Sequence, residues 1–127
     1  MTKQEKVHQL RNDHSVHYNC AQSILIPFAE ECGISEETAN RMGANFGGGM
    51  RVGATCGAIT GSLMALGGMG FGEEESKQLL QRFRERHGCL DCVGLLRQAH
   101  EKGEDRKAHC DQMIDECLAM VEELSGK

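Results

Sequence analysis

The sequence predicts an all-α fold: a compact bundle of about five to six short helices, with a glycine-rich loop leading into a buried small-residue helix. Three observations point there. No segment sustains the alternation of period two that a half-buried strand requires. Apolar residues recur instead at spacings of three and four, most clearly in Cys110, Met113, Ile114, Cys117, Val121 and Leu124. Helix punctuation agrees with that period: Asn19, Ser35 and Asp91 stand where N-caps are wanted, and Gly33, Gly88 and Gly103 where helices stop.

Taken in order, Lys3 to Asn12 is polar, with Val7 and Leu10 as its only apolar anchors, and reads as a short helix or a loosely held arm. We divide the chain there, with residues 1–15 as a polar arm or short helix and 16–127 as a single helical domain. Asn19 caps the next helix, and Gln22 returns a bond in capping-box fashion. Pro27 kinks that helix, because it cannot donate to the carbonyl of Ser23. Ser35, followed by Glu36 and Glu37, opens a helix whose acidic first turn suits the macrodipole. It runs into Gly47, Gly48 and Gly49, where the absence of Cβ atoms permits positive φ and close backbone approach. After Thr55, the residues Ala58, Ile59, Leu63, Met64 and Leu66 return to helical spacing with Gly57, Gly61 and Ser62 among them. Glycine inside a helix costs about 1 kcal/mol against alanine, so this helix needs its backbone close to a neighbour. Glu73 to Glu75 then open a helix with Leu79, Leu80 and Phe83 on its inner face, Asp91 starts a short one, and a last helix begins at about Asp105.

The chain has 127 residues and a net charge of −5, with no cluster of basic residues, which excludes nucleic acid as a partner. No run of about 18 apolar residues is present, which excludes a membrane span, and the polar start carries no apolar signal core, so a cytoplasmic location is expected. With one Tyr, no Trp and four Phe, the core must come from aliphatic residues, Met and Cys. Seven cysteines in a reducing compartment are not a disulfide scaffold, and the odd count leaves a thiol over. Gly47-Gly48-Gly49-Met50-Arg51 lacks the Lys-Ser/Thr ending and the preceding strand of a phosphate loop.

Three thiols follow residues with N-cap preference: Cys20 after Asn19, Cys56 after Thr55, and Cys92 after Asp91. At a first helical position the positive end of the helix dipole lowers thiol pKa and favours thiolate. Asp91 opposes this at Cys92, since a carboxylate disfavours a neighbouring thiolate. Cys89 and Cys92 form one Cys-x-x-Cys, a spacing used by dithiol pairs and by metal sites, but without the βαβ surroundings of a thioredoxin-like fold. Cys117 lies on an apolar stripe and reads as core, and Cys32 as filler in the last turn before Gly33. His14, His17 and His109 read as solvated, because sequence neighbours on a helix point about 100° apart and His109 does not share a face with Cys110.

Tyr18-Asn19-Cys20-Ala21-Gln22-Ser23, the Phe46–Met50 loop, Cys56-Gly57-Ala58-Ile59-Thr60-Gly61 and two later cysteines resemble the C_GCAxxG_C_C family of small proteins described as redox-active. The resemblance covers residues 16–124. It places Cys20 at the first cysteine position, Cys56 in the glycine-rich motif, Cys92 (before Val93-Gly94-Leu95-Leu96) at the third and Cys110 at the fourth. The central motif here is Cys-Gly-Ala rather than the Gly-Cys-Ala of the family's name, and Cys32, Cys89 and Cys117 are extra.

Residue reading and resemblance select the same four cysteines, and three functions follow. In the first, Cys20 and Cys56, or one of them with Cys92, exchange electrons through a reversible disulfide with a partner redox protein. In the second, Cys20, Cys56, Cys92 and Cys110, with Cys89 as a further candidate, bind an iron–sulfur cluster or zinc. In the third, the chain is a helical interaction module whose cysteines only pack. All three allow a homo-oligomer.

Overall fold

The caps read from the sequence set most of the helix starts. A computed structural model describing residues 1–127 has seven helices and no strands: α1 (Lys3–Arg11), α2 (Cys20–Leu25), α3 (Glu36–Gly43), α4 (Gly57–Gly68), α5 (Glu73–His87), α6 (Cys92–Glu101) and α7 (Arg106–Ser125). The count exceeds the expected five to six because the polar N-terminal stretch is a full helix. Thr2 and Glu5 close a capping box on it, and Val7 and Leu10 enter the core. Lys3 Nζ donates to Glu31 Oε1 at 2.6 Å and Arg11 Nε to Asp111 Oδ1 at 2.7 Å, fixing both ends of α1 against the body.

Asn19 accepts from Gln22 N at 2.8 Å while Gln22 Oε1 accepts from Asn19 N at 2.9 Å, the reciprocal box expected for α2. Pro27 does more than kink a helix expected to run to near Gly33: the α-helix stops at Leu25 and Ile26–Phe28 continue as a 3₁₀ turn. Ser35 and Asp91 cap α3 and α6.

Helix α4 departs from the reading by one residue. Thr55 is not its cap. An isolated antiparallel bridge pairs Thr55 with Asp91, flanked by Cys56 N donating to Leu90 O at 2.8 Å and Cys92 N to Ala54 O at 2.6 Å. This holds Thr55 extended, so Cys56 becomes the N-cap and Gly57 the first helical residue.

The core lies around α4, where Ala58, Ile59, Ala65 and Leu66 have no solvent exposure. Phe28, Ile24 and Leu25 approach from the α2 side, and Ile114, Leu118 and Val121 from α7. Burying each large side chain is worth about 1.5–3 kcal/mol. The glycine of the small-residue face is required by contact: a Cβ on Gly61 would lie 2.7 Å from Ala21 O and 2.9 Å from Ala21 Cα. Helices α2 and α4 therefore meet backbone to backbone. No helix is long and apolar enough to cross a membrane.

Candidate functional site

The close meeting of α2 and α4 sets the cysteine geometry. At the start of α4, a Cβ on Gly57 would lie 3.1 Å from Cys20 Cβ, so the first turns of the two helices touch and bring Cys56 to Cys20. The bridge between Thr55 and Asp91 brings Cys92, the first residue of α6, to the same place. Cys110 arrives from the second turn of α7. All four thiols line one cavity of about 430 Å³. Its apolar wall includes Leu95, Leu96 and Met113, and its basic groups are Arg11, Arg106 and Lys107.

The glycine-rich segment forms another wall. Gly48, Gly49, Met50 and Arg51 take φ of 60°, 65°, 57° and 66°, a full left-handed turn. Each of the two non-glycine residues costs roughly 1–2 kcal/mol in this region. Ala54 N donates back to Gly49 O at 2.8 Å and closes the turn. Gly49 is needed twice over, because a Cβ there would run into Ala54 O and lie 2.7 Å from Cys92 Cβ. We expect Gly49→Ala to destabilise the protein by about 2–4 kcal/mol, from the positive φ and the overpacking together. It should also alter the alkylation rate of Cys92 relative to that of Cys32, as read by peptide mapping; an unchanged ratio would mean that this turn does not position Cys92.

Three of the four thiols are less acidic than an ordinary cysteine, contrary to the helix-start expectation. At Cys20, donation of its proton to the Cys110 sulfur, followed by burial, holds the pKa well up. Cys56 is only 6 % exposed, and burial raises it to about 11 although the Ala58 and Ile59 amides near its sulfur favour thiolate. Burial also raises Cys92, with Cys110 and Asp91 adding to the effect and Arg106 opposing it. Desolvation therefore outweighs the helix dipole at these positions. Cys110 goes the other way. Proton sharing with Cys20, aided by Arg11 and Arg106, lowers it to about 6 against the opposing effect of burial.

Of the remaining cysteines, Cys117 is fully buried in the core stripe, as expected, and burial pushes its thiol far up. Cys32 fills the space beside Gly68 and donates to Ala65 O at 3.5 Å. The Cys-x-x-Cys is divided. Cys92 faces the cavity, while Cys89 lies outside it and receives a hydrogen bond from Gln98 Nε2 at 3.6 Å. No three His, Cys, Asp or Glu side chains stand in an arrangement ready to hold a metal ion.

His14 and His17 are exposed, as expected, but His109 is not: it is 8 % exposed, its Nδ1 lies 3.7 Å from Glu104 Oε2, and burial keeps it neutral by lowering its pKa. Helix α7 packs against α1, α2, α4, α5 and α6, so its buried arc is wide enough to take in both His109 and Cys110. The sequence reading also passed over Arg11 and Arg106. Arg106 stands four residues before Cys110 on one helix, a spacing that was readable. Arg11 reaches the site from a different helix and gave no local signal.

Neither the curated proteins nor the solved structures include one that matches this chain. A family model described as "Putative redox-active protein (C_GCAxxG_C_C)" matches residues 18–124, from just before the cap of α2 nearly to the end of α7, and the chain belongs to that family.

Proposed function

We propose that the protein exchanges electrons by thiol–disulfide chemistry, with Cys110 as the attacking thiolate and Cys20 as the resolving thiol. The observation that carries this is that Cys20 and Cys110 line the same cavity close enough for proton sharing to raise the one thiol and lower the other, with Arg11 and Arg106 among the lining residues. Such a pair holds one proton between two sulfurs, which gives a nucleophile at neutral pH and keeps its partner protonated until needed. The pairing differs from the Cys20–Cys56 or Cys92 pairings expected from helix starts, because Cys110 is the one cavity thiol that is lowered and its chief partner is Cys20.

The steps balance. Cys110 Sγ attacks one sulfur of a substrate disulfide, a mixed disulfide forms, and the other substrate sulfur departs as thiolate. The Cys20 thiol gives its proton to that departing thiolate and attacks Cys110 Sγ. The Cys20–Cys110 disulfide forms and the second substrate thiolate leaves. The substrate gains two electrons and the protein loses two.

Reduced protein treated anaerobically with one equivalent of a small disulfide should lose two of its seven free thiols. Peptide mapping should place the new bond between Cys20 and Cys110. Full retention of the thiols, or a bond between any other two cysteines, would be incompatible with the assignment.

A further inference from the structure

We propose that the cavity selects a low-molecular-weight disulfide bearing carboxylates, rather than a disulfide on a folded protein. The proposal rests on the Cys20–Cys110 reading above and concerns what reaches that pair.

Two observations carry it. The first is shape: Cys20, Cys56, Cys92 and Cys110 line a concave space of about 430 Å³ walled on one side by Leu95, Leu96 and Met113. That volume lies in the range of small-molecule sites and toward its lower end. A disulfide fixed on a protein surface would have to enter the same concavity with its backbone attached.

The second is charge. Three basic and two acidic side chains line the cavity in a chain whose net charge is −5. Most of these charges are already engaged. Asp13 accepts from Ser15 N and Oγ at 2.8 and 2.7 Å, and Asp105 caps Ala108 N at 3.2 Å. Arg11 and Lys107 share the Asp111 carboxylate at 2.7 and 2.8 Å. Arg106 alone among the basic groups makes no ion pair within the chain, although it is near enough to act on both Cys92 and Cys110. An unpaired guanidinium beside a reactive sulfur fits a substrate with a carboxylate a few bonds from its own sulfur, since Arg presents donors in carboxylate geometry.

The expectation is sharp because free thiolates show the opposite preference: a negative sulfur repels an anionic disulfide. Dithiodiglycolate, hydroxyethyl disulfide and cystamine are of similar size and are anionic, neutral and cationic. Reduced protein should form the Cys20–Cys110 disulfide about tenfold faster with dithiodiglycolate than with hydroxyethyl disulfide, and slowest with cystamine. Arg106→Glu should remove the anionic advantage. Glutamate in the first turn of α7 suits the helix dipole, so folding is retained. The change also raises the Cys110 pKa, so rates are compared per thiolate, using the pH profile with the neutral reagent iodoacetamide. A neutral or cationic disulfide reacting fastest, an Arg106→Glu protein that keeps the anionic advantage, or insulin (a protein disulfide) outpacing all three would overturn the proposal. Equal rates with all three would overturn the carboxylate selection alone; if no disulfide yields a Cys20–Cys110 bond, the dithiol reading itself fails.

Discussion

Gly61→Val should lower the unfolding free energy by about 4 kcal/mol or more, enough to leave a domain of this size marginal. The first added carbon would already sit 2.7 Å from Ala21 O and 2.9 Å from Ala21 Cα. Those are backbone atoms of α2, which cannot rotate away as a side chain would. The two γ-methyl groups would then force α2 off α4 altogether. Gly67 lies on the same helix but has no heavy atom within 4 Å of its would-be Cβ and does not need positive φ. Gly67→Ala should therefore stabilise the protein by up to about 1 kcal/mol, through helix propensity alone. Urea denaturation of the two variants beside the parent gives both numbers. Equal midpoints for Gly61→Val and the parent would mean that α2 and α4 are not in backbone contact. Because α2 begins at Cys20, a partly folded Gly61→Val protein should also lose preferential reaction at Cys110.

That contact explains why much of the fold was legible. A helix that tolerates Gly57 and Gly61 among Ala58, Ile59 and Leu66 announces a neighbour, and polar caps at Asn19, Ser35 and Asp91 are local chemistry readable one residue at a time. The α4 start was misplaced by one because the tertiary bridge between Thr55 and Asp91 overrides the local preference of threonine. The left-handed path through Met50 and Arg51 left no trace in residue type, since neither favours positive φ; only the flanking glycines hinted at it. At the site, the four cavity cysteines were identifiable from motif and spacing, whereas their acidities were not. A helix dipole is a property of local sequence, but desolvation depends on what packs above the sulfur, and that inverted the order for Cys20, Cys56 and Cys92. The basic character around Cys110 likewise depends on Arg11, which is far away in the chain.

Replacing Cys20 with alanine should have the largest effect on chemistry. Without the resolving thiol, reaction with a disulfide stops at the mixed disulfide on Cys110, and two-electron turnover falls to background. The same change removes the Cys20 partner that chiefly lowers Cys110, so the pH midpoint for alkylation of Cys110 should rise from about 6 toward the ordinary thiol value of about 8.5. The rate at full ionisation should rise at the same time, because a more basic thiolate is a better nucleophile; the midpoint, not the rate at one pH, is the quantity to read. Stability should follow with a definite sign. Between about pH 6 and 8.5 the folded parent holds Cys110 as thiolate while the unfolded chain holds it as thiol, so the folded state binds fewer protons and is stabilised as pH rises. Toward the top of that window Cys20, Cys56 and Cys117 reverse the slope, since their folded pKa values are raised and the unfolded chain ionises first. The thiols of the reduced parent thus place a stability maximum somewhat below the ordinary thiol pKa of about 8.5, at roughly pH 8. Cys20→Ala should flatten the rise below it and leave the fall above it, which still comes from Cys56 and Cys117. A Cys20→Ala protein whose Cys110 still titrates near 6 would show that the arginines alone set the thiolate, and Cys20 would then have no part in activating it.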